Sequence, residues 1–578
     1  MTIFKENYLA LMLALIVGLI YIGPQLLFIY SLGEDYRGIP MMKTPNEDFY
    51  LARIQEIIDG HPLVGSSAFY EYKGEWPMQP PTAEMIYALP SLIFGFSPAS
   101  VLVASKFVLP FILFLAVYFL IRGLTGNIKL FSNKANAVAG ALLVTLGHDL
   151  IDYRSLWRLF GGAEPGGFLI WARPVNPIMG AVFLMLFLVC VWRLIRKTDR
   201  IKTYVISAAI FLALMMASYF FSWGMAFSVL GVLCLIYLIK RDYGIIKKFA
   251  LIILLAVILA SPYWYGVLRA SQSELYADSV LRNGLFYTHY PLVNKLMLAT
   301  LAIFIIVVFL PLLKRSADSG FREKLSALED WHWMSLAFIF GSLWVYSQQV
   351  ITGMTVWPYH FVQYSIPLAM VVAMALLYNV LREKSKLLWA TAVLVAAFSS
   401  VFYGVYVQAS VYNRFYSEYE SRQSFAPVFE WLNQREKDCV VLVSIGKNER
   451  DFALLSGLIP AFTHCNVYLS TWVFSLMPED RRLHNYMVLL RLKGVEPDAI
   501  EEYLQKNKSE ARVHLFSNWK GLYGLPDFPD FADELMEKRL KEFPEQYRLF
   551  LERDFKTELK KYRIDYILSD DNLFLYSF

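Results

Sequence analysis

Two carboxylates stand side by side in Thr44-Pro45-Asn46-Glu47-Asp48-Phe49-Tyr50-Leu51-Ala52-Arg53, and the stretch continues to Asp59-Gly60-His61. Thr44 as N-cap, Pro45 in the first turn, Glu47 three residues after the threonine and Gly60 beyond the last turn describe a capped helix of about fifteen residues. Glu47 thereby has an explanation as the capping acid. Asp48 has none so complete. In the first turn the helix dipole keeps it ionised, which suits a general base acting on an acceptor hydroxyl, or a metal ligand. A solvated acid that favours the dipole is the plainer alternative. Lys43 and Arg53 flank the pair and suit an anionic group, or the anchoring of the helix to lipid phosphates.

A second polar stretch holds Asp149, Asp152, Arg154 and Arg158, then Gly161-Gly162-Ala163-Glu164-Pro165-Gly166-Gly167, then Arg173. Arginines four apart share a helix face and match the geometry of a phosphate. The glycines around Glu164 let backbone approach a ligand closely, or serve as turn punctuation. His360, in Trp357-Pro358-Tyr359-His360, suits phosphate binding or proton transfer, against membership of an aromatic belt. No Gly-x-Ser-x-Gly, His-Glu-x-x-His or Walker pattern occurs, so the usual signs of hydrolases, zinc proteases and NTPases are missing.

These residues sit between long apolar segments. The 578-residue chain is 57% hydrophobic and 18% charged, with a mean hydropathy of +0.43, too apolar for an ordinary soluble protein. Stretches near the ~20 residues a bilayer requires fall at about 7–30, 99–122, 135–149, 175–195, 203–221, 223–239, 249–267, 292–313, 332–350, 362–381 and 387–410. The segment 84–97, shorter and broken by Pro90, reads as a helix at the interface. The fold class expected is therefore an α-helical polytopic membrane protein of about eleven spans over residues 1–410, with external loops at 31–98 and 149–174.

Alternate loops are basic. They carry Arg122/Lys129/Lys134, Arg193/Arg196/Lys197/Arg200/Lys202, Lys240/Arg241/Lys247/Lys248, Lys314/Arg315/Arg322/Lys324 and Arg382/Lys384/Lys386. This is the positive-inside pattern, and it places the N-terminus in the cytoplasm of a plasma-membrane protein. The net charge of +5 is thus a topology signal and not a nucleic-acid footprint. An odd number of spans puts residues 411–578 outside. That tail reads as a small α/β domain, with a helix at 427–434, strands at 439–445, 465–470 and 562–569, and helices at about 480–494, 497–507 and 531–561. Cys439 and Cys465 suit a disulfide in an oxidising compartment, though two cysteines alone favour reduced, buried thiols.

The chain resembles the GT-C superfamily of polytopic membrane glycosyltransferases. The likeness rests on the odd span set, the long first external loop with an early acid, and the outward C-terminal domain. Asp48 to Arg53 is similar to the Asp-Pro-Tyr-Tyr-x-x-Arg stretch of oligosaccharyltransferase catalytic subunits, with the arginine one residue early and the proline absent. The tail lacks their Trp-Trp-Asp motif. The chain looks closer to uncharacterised prokaryotic GT-C-type membrane proteins, whose Asp…Tyr…Arg…Asp-Gly-His and Thr-Gly-x-x-x-x-Pro-x-His patterns are legible at Asp48–His61 and Thr352–His360, the first with altered gaps around Tyr50.

The resemblance implies transfer of a sugar from a polyprenyl-phosphate-linked donor to a glycan, lipid or protein acceptor at the extracytoplasmic face. Asp48 would be the base and Glu47 its understudy. Lys43, Arg53, Arg154, Arg158, Arg173 and His360 would face the lipid phosphate. Members of oligosaccharyltransferase type use a divalent metal, Mg or Mn, for which Asp149, Asp152 and Glu164 are the available carboxylates. The competing readings are a transporter or flippase of lipid-linked sugars and a non-catalytic assembly protein of the cell envelope.

Overall fold

The computed structural model describes residues 2–126, 130–311, 328–443, 449–470, 474–515, 531–569 and 575–577. The basic loop at Lys314–Lys324, and Lys129 in the first one, lie outside them. Among the described residues seven helices are long and apolar enough to cross a membrane: Glu6–Asp35, Pro98–Leu124, Ile178–Ile195, Phe220–Ile239, Asp330–Thr352, Pro358–Lys384 and Lys386–Asn433. A bent pair, Tyr243–Leu259 and Ser261–Ser271, meets at 61° and, taken as one broken span, makes an eighth. Phe131–Leu146, Ile201–Met216 and Lys295–Phe309 hold the remaining positions in the expected series. The first two of these have 16 residues each, about 24 Å of helix, short of the ~30 Å hydrocarbon core. The protein is a multi-pass helical membrane protein with a small mixed sheet in its tail.

The last span shows how the bundle sorts its faces. Leu387, Leu394, Phe398 and Phe402 are exposed, an apolar stripe suited to lipid. Val393, Ser400, Gly404, Val407, Gln408 and Val411 on the other side are buried against the bundle. Gly404 has no room for a side chain, since a Cβ there would lie 3.0 Å from Leu146. Gln408 does two jobs at the end nearer the tail. Its amide donates to the Tyr21 carbonyl (3.1 Å), and its oxygen accepts the Leu169 N–H (3.2 Å), which pins the 149–174 loop to the membrane helices.

The helix does not stop at residue 410. It runs unbroken from Lys386 to Arg422, and its last twelve residues extend it by about 18 Å. The chain then passes through the helix Ala426–Asn433 into a sheet of order Asn466–Val467, Val440–Val443, Tyr566–Leu568, Leu575–Ser577. The first three strands are parallel and the fourth antiparallel, with Val441 opposite Val467, Leu442 opposite Ile567 and Ile567 opposite Tyr576. The fourth strand lies beyond the three expected from the sequence. So does the helix Glu449–Phe462, which holds Pro460 within it. Cys439 and Cys465 are joined as a disulfide, which corrects the expectation of reduced thiols. Their proximity comes from parallel pairing: each cysteine immediately precedes one of two neighbouring strands.

The loop between the first two spans forms the layer between the membrane helices and the tail. Its helix Glu47–Asp59 packs on the helix Thr82–Phe94 and on Glu449–Phe462 of the tail. Lys73 latches the two parts together, 2.8 Å from Glu56 and 2.5 Å from Asp438, with His61 3.1 Å from the same aspartate. The Val467 N–H donates to the Ala68 carbonyl at 2.9 Å. Leu92, Ile93, Phe94 and Phe96, at the far end of the short apolar helix, are exposed.

Candidate active site

Asn46 adopts a left-handed conformation (φ 59°) and turns the chain into the helix, which begins at Glu47 and ends on Gly60 (φ 107°). Asn tolerates that region better than most residues and Gly has no penalty there. The start therefore falls two residues after the expected Pro45. The reach of the acid back to the threonine survives the shift. Thr44 donates to Glu47 Oε1 through its backbone N–H (2.8 Å) and its hydroxyl (2.7 Å).

Lys106 reaches up from the span Pro98–Leu124 and places its Nζ 2.7 Å from Glu47 Oε2. Both side chains are essentially sealed from solvent, at 1% and 0% exposure. A lysine within a membrane span requires a partner, and here the partner fixes the first turn of the site helix. Glu47 is thus fully engaged, which leaves it no part as a spare base. The sequence signal for Lys106 was a single charge inside an apolar run, and the expected site set lacked it.

Asp48 turns into a cavity of about 510 Å³. Lys43 and Thr44 of the first loop, Gly166–Phe168 of the second, Tyr419 and Arg422 of the long helix, and Leu454 and Leu458 of the tail line it with Asp48. Burial pushes the Asp48 carboxyl above the usual aspartate range. The Phe49 N–H, 2.9 Å away, the residue's own amide and the Arg422 charge pull it part of the way back. Lys43 lies 3.7 Å from Glu418 and 3.9 Å from the centre of the Phe415 ring. Arg422 is 2.5 Å from the same glutamate and stacks over Tyr419 at 4.1 Å, while its Nε is buried without a hydrogen-bond partner. The cavity thus combines one carboxylate, two cations and an apolar wall. That suits a ligand with a phosphate and a hydrocarbon part.

A smaller cavity of about 200 Å³ lies on the other side of the Gly166–Phe168 strap, which lines both. The strap is held by the Phe168 N–H donating to the Lys43 carbonyl at 3.2 Å. Gly167 permits this approach, since a Cβ would lie 2.7 Å from that carbonyl oxygen. Asp149, Arg158 and Glu164 line this second space. Burial would raise the Asp149 carboxyl, but the His148 ring at 3.0 Å, the Tyr403 hydroxyl at 3.1 Å and the Arg158 charge outweigh it and hold it below the usual range.

These carboxylates do not fit a divalent ion. Asp149 Oδ1 and Oδ2 are occupied by His148 and Tyr403, Glu164 faces Arg414 at 3.7 Å, and Asp152 pairs with Arg154 at 3.0 Å while capping its own helix. Among the described residues, Cys439, His464 and Cys465 make the one cluster with metal-ligand geometry, and its two sulfurs are already bonded to each other.

Of the residues singled out from the sequence, the larger cavity brings together Asp48 and Lys43. Arg53 is elsewhere, sealed against Glu84 (2.5 Å, 2% and 3% exposure) and donating to the Gln79 carbonyl at 3.1 Å. It ties two helices of the first loop together. Arg154 is exposed at the surface, and Arg158 opens onto the smaller cavity.

Arg173 and His360 belong to a third cluster. Arg173 donates to the Tyr50 hydroxyl at 3.3 Å and lies over its ring, and His360 Nδ1 is 2.9 Å from the Tyr219 hydroxyl. Tyr50 follows Asp48 by two residues, a rotation of about 200°, so this cluster occupies the opposite side of the helix. Arg422, Tyr419, Leu454 and Leu458 were missed because they come from the helix extension and from the unforeseen helix of the tail.

No protein-family model and no curated protein sequence matches the chain. Similar solved structures include ArnT from Cupriavidus metallidurans in the apo state, at 12% identity over 76% of this chain and 84% of that one, with a TM-score of 0.40. ArnT bound to undecaprenyl phosphate gives 12% identity over 80% and 86%, with a TM-score of 0.41. The Archaeoglobus fulgidus oligosaccharyltransferase in the apo form is 14% identical over 80% of this chain and 65% of its own length, with a TM-score of 0.42.

Proposed function

We propose that the protein is a glycosyltransferase that moves a sugar from a polyprenyl-phosphate-linked donor to an acceptor hydroxyl or amide at the extracytoplasmic membrane face. The observation that carries this reading is the pairing at positions 47 and 48. One acid is consumed by Lys106 and Thr44, and its neighbour is left facing a cavity with two cations. Asp48 removes the acceptor proton. The acceptor atom then attacks the anomeric carbon, and the bond from that carbon to the phosphate oxygen breaks. Negative charge grows on the departing lipid phosphate, where Lys43 and Arg422 stabilise it. A carboxyl whose pKa burial raises is a stronger base than a solvated aspartate.

The outward placement of the tail is part of the same proposal. It is supported by the basic loops on the opposite side and by the Cys439–Cys465 bridge, since disulfides persist in oxidising compartments. The decisive experiment is sugar release from lipid-linked donors extracted from the native membrane, with wild type and Asp48→Asn compared in the same nanodiscs. The substitution should eliminate transfer without lowering the melting temperature. Undiminished transfer by the variant removes the assignment.

A further inference from the structure

Besides the two polar cavities, an apolar groove of about 470 Å³ lies where the helix Lys295–Phe309 packs against the span Pro358–Lys384. Its lining runs from Leu296 to Val307 on one helix and from Ala369 to Lys384 on the other, each along a single helical face. The second run is about 22 Å of helix, most of the ~30 Å hydrocarbon core. Thr300 and Lys384 are the polar residues of the lining. The Thr300 hydroxyl already donates to the Leu296 carbonyl at 2.8 Å, which leaves the walls apolar up to Lys384. A hydrocarbon chain suits such walls, whereas a polar ligand would lose its hydrogen bonds to water there.

Both helices depart from α geometry at this groove. The two π turns among the described residues are Ile305–Phe309 and Leu377–Leu381, and Val307, Leu377, Val380 and Leu381 from them line it. Such turns are rare and concentrate at functional sites. Lys384 is exposed at the groove's end, between Arg382 and Lys386 in the sequence, with Glu383 the one acid among them. Arg382 lies over the Tyr378 ring, 4.9 Å from its centre. Basic residues at a span end attract anionic headgroups. The last span begins at Lys386 and reaches the Asp48 cavity only at Tyr419 and Arg422, so this charged end stands apart from that cavity.

We infer that the groove is a binding site for one anionic phospholipid, with an acyl chain lying along it and the phosphate held at Lys384. Burial of the chain supplies the affinity, and the ammonium selects the headgroup. The site does not depend on the chemistry assigned to Asp48.

The test strips the full-length protein of lipid in detergent and titrates it with phosphatidylglycerol, and in parallel with phosphatidylcholine of the same chains. Bound lipid is counted by native mass spectrometry. Wild type should retain a single phosphatidylglycerol molecule in preference to phosphatidylcholine. Ala373→Phe places a ring in the groove from an exposed position and should remove that molecule. Lys384→Gln should weaken phosphatidylglycerol binding by about fivefold and leave phosphatidylcholine binding unchanged. The inference is overturned if both lipids bind alike and without a fixed number, as an annulus does, or if Ala373→Phe still retains the molecule. Should that variant not fold, binding by Lys384→Gln as tight as by wild type overturns it. A short-chain polyprenyl phosphate that displaces phosphatidylglycerol from the wild-type protein at equal concentration would overturn the phospholipid assignment.

Discussion

Asp48 and Asp149 line neighbouring cavities on either side of the Gly166–Phe168 strap, yet their carboxyls are perturbed in opposite directions. Asp48 sits on a helix whose first turn is clamped from below by Lys106, with burial as its dominant influence. Asp149 is buried too, but a histidine and a tyrosine hold its charged form. Desolvation offset only by backbone N–H groups and a more distant charge leaves a base. Desolvation with two donors leaves a structural acceptor. The rest of the second cavity follows the same logic at lower cost, through surface pairs such as Glu164–Arg414.

The comparison breaks most visibly in activity. Asp48→Asn should lower transfer by about 10²- to 10⁴-fold, whereas Asp149→Asn should leave the chemical step nearly intact. Equal losses would dissolve the distinction. Next comes the clamp. Lys106→Met strands Glu47 as a buried, unpaired acid and should cost about 3–5 kcal/mol, read as a drop in the denaturation midpoint. Adding Glu47→Gln should restore much of it, because the charge left behind is then gone. Gly167→Ala presses a methyl against the Lys43 carbonyl. It should destabilise by about 1–3 kcal/mol and impair both cavities, since they share that strap.

A finer test uses pH. A carboxyl raised by folding opposes stability once the pH exceeds its unfolded value, so Asp48→Asn should raise the melting temperature at neutral pH. A carboxyl lowered by folding stabilises above its unfolded value and loses that contribution as pH falls through the folded one. Asp149→Asn should therefore lower the melting temperature at neutral pH, with the difference vanishing in acid. Smallest of all, Glu164→Ala should change stability by no more than about 0.5 kcal/mol, because its ion pair is solvent-screened.

The sequence displayed the membrane architecture well because apolar length and loop charge are local properties. It displayed the tail's three parallel strands for the same reason, as runs such as Val440–Val443. At the site, Asp48 and Lys43 were legible from the capped first-loop helix. Arg53 and Glu47 carried the same residue chemistry, but their roles depend on Glu84 and Lys106, partners 31 and 59 residues away. Tertiary pairing decides whether a charged group is available, and spacing along the chain does not report it. Arg422 was lost for a different reason. Hydropathy falls after residue 410, but helical backbone does not.

That unbroken rod has a mechanical consequence. Its inner two-thirds are set by the bilayer, and its tip carries Tyr419 and Arg422 into the wall of the cavity. Tilting the rod by about 10° would swing a tip that projects about 18 Å by some 3 Å. Lipid thickness would then adjust the distance between guanidinium and carboxylate, making the membrane itself a gauge that sets how far the reactive pocket stands open.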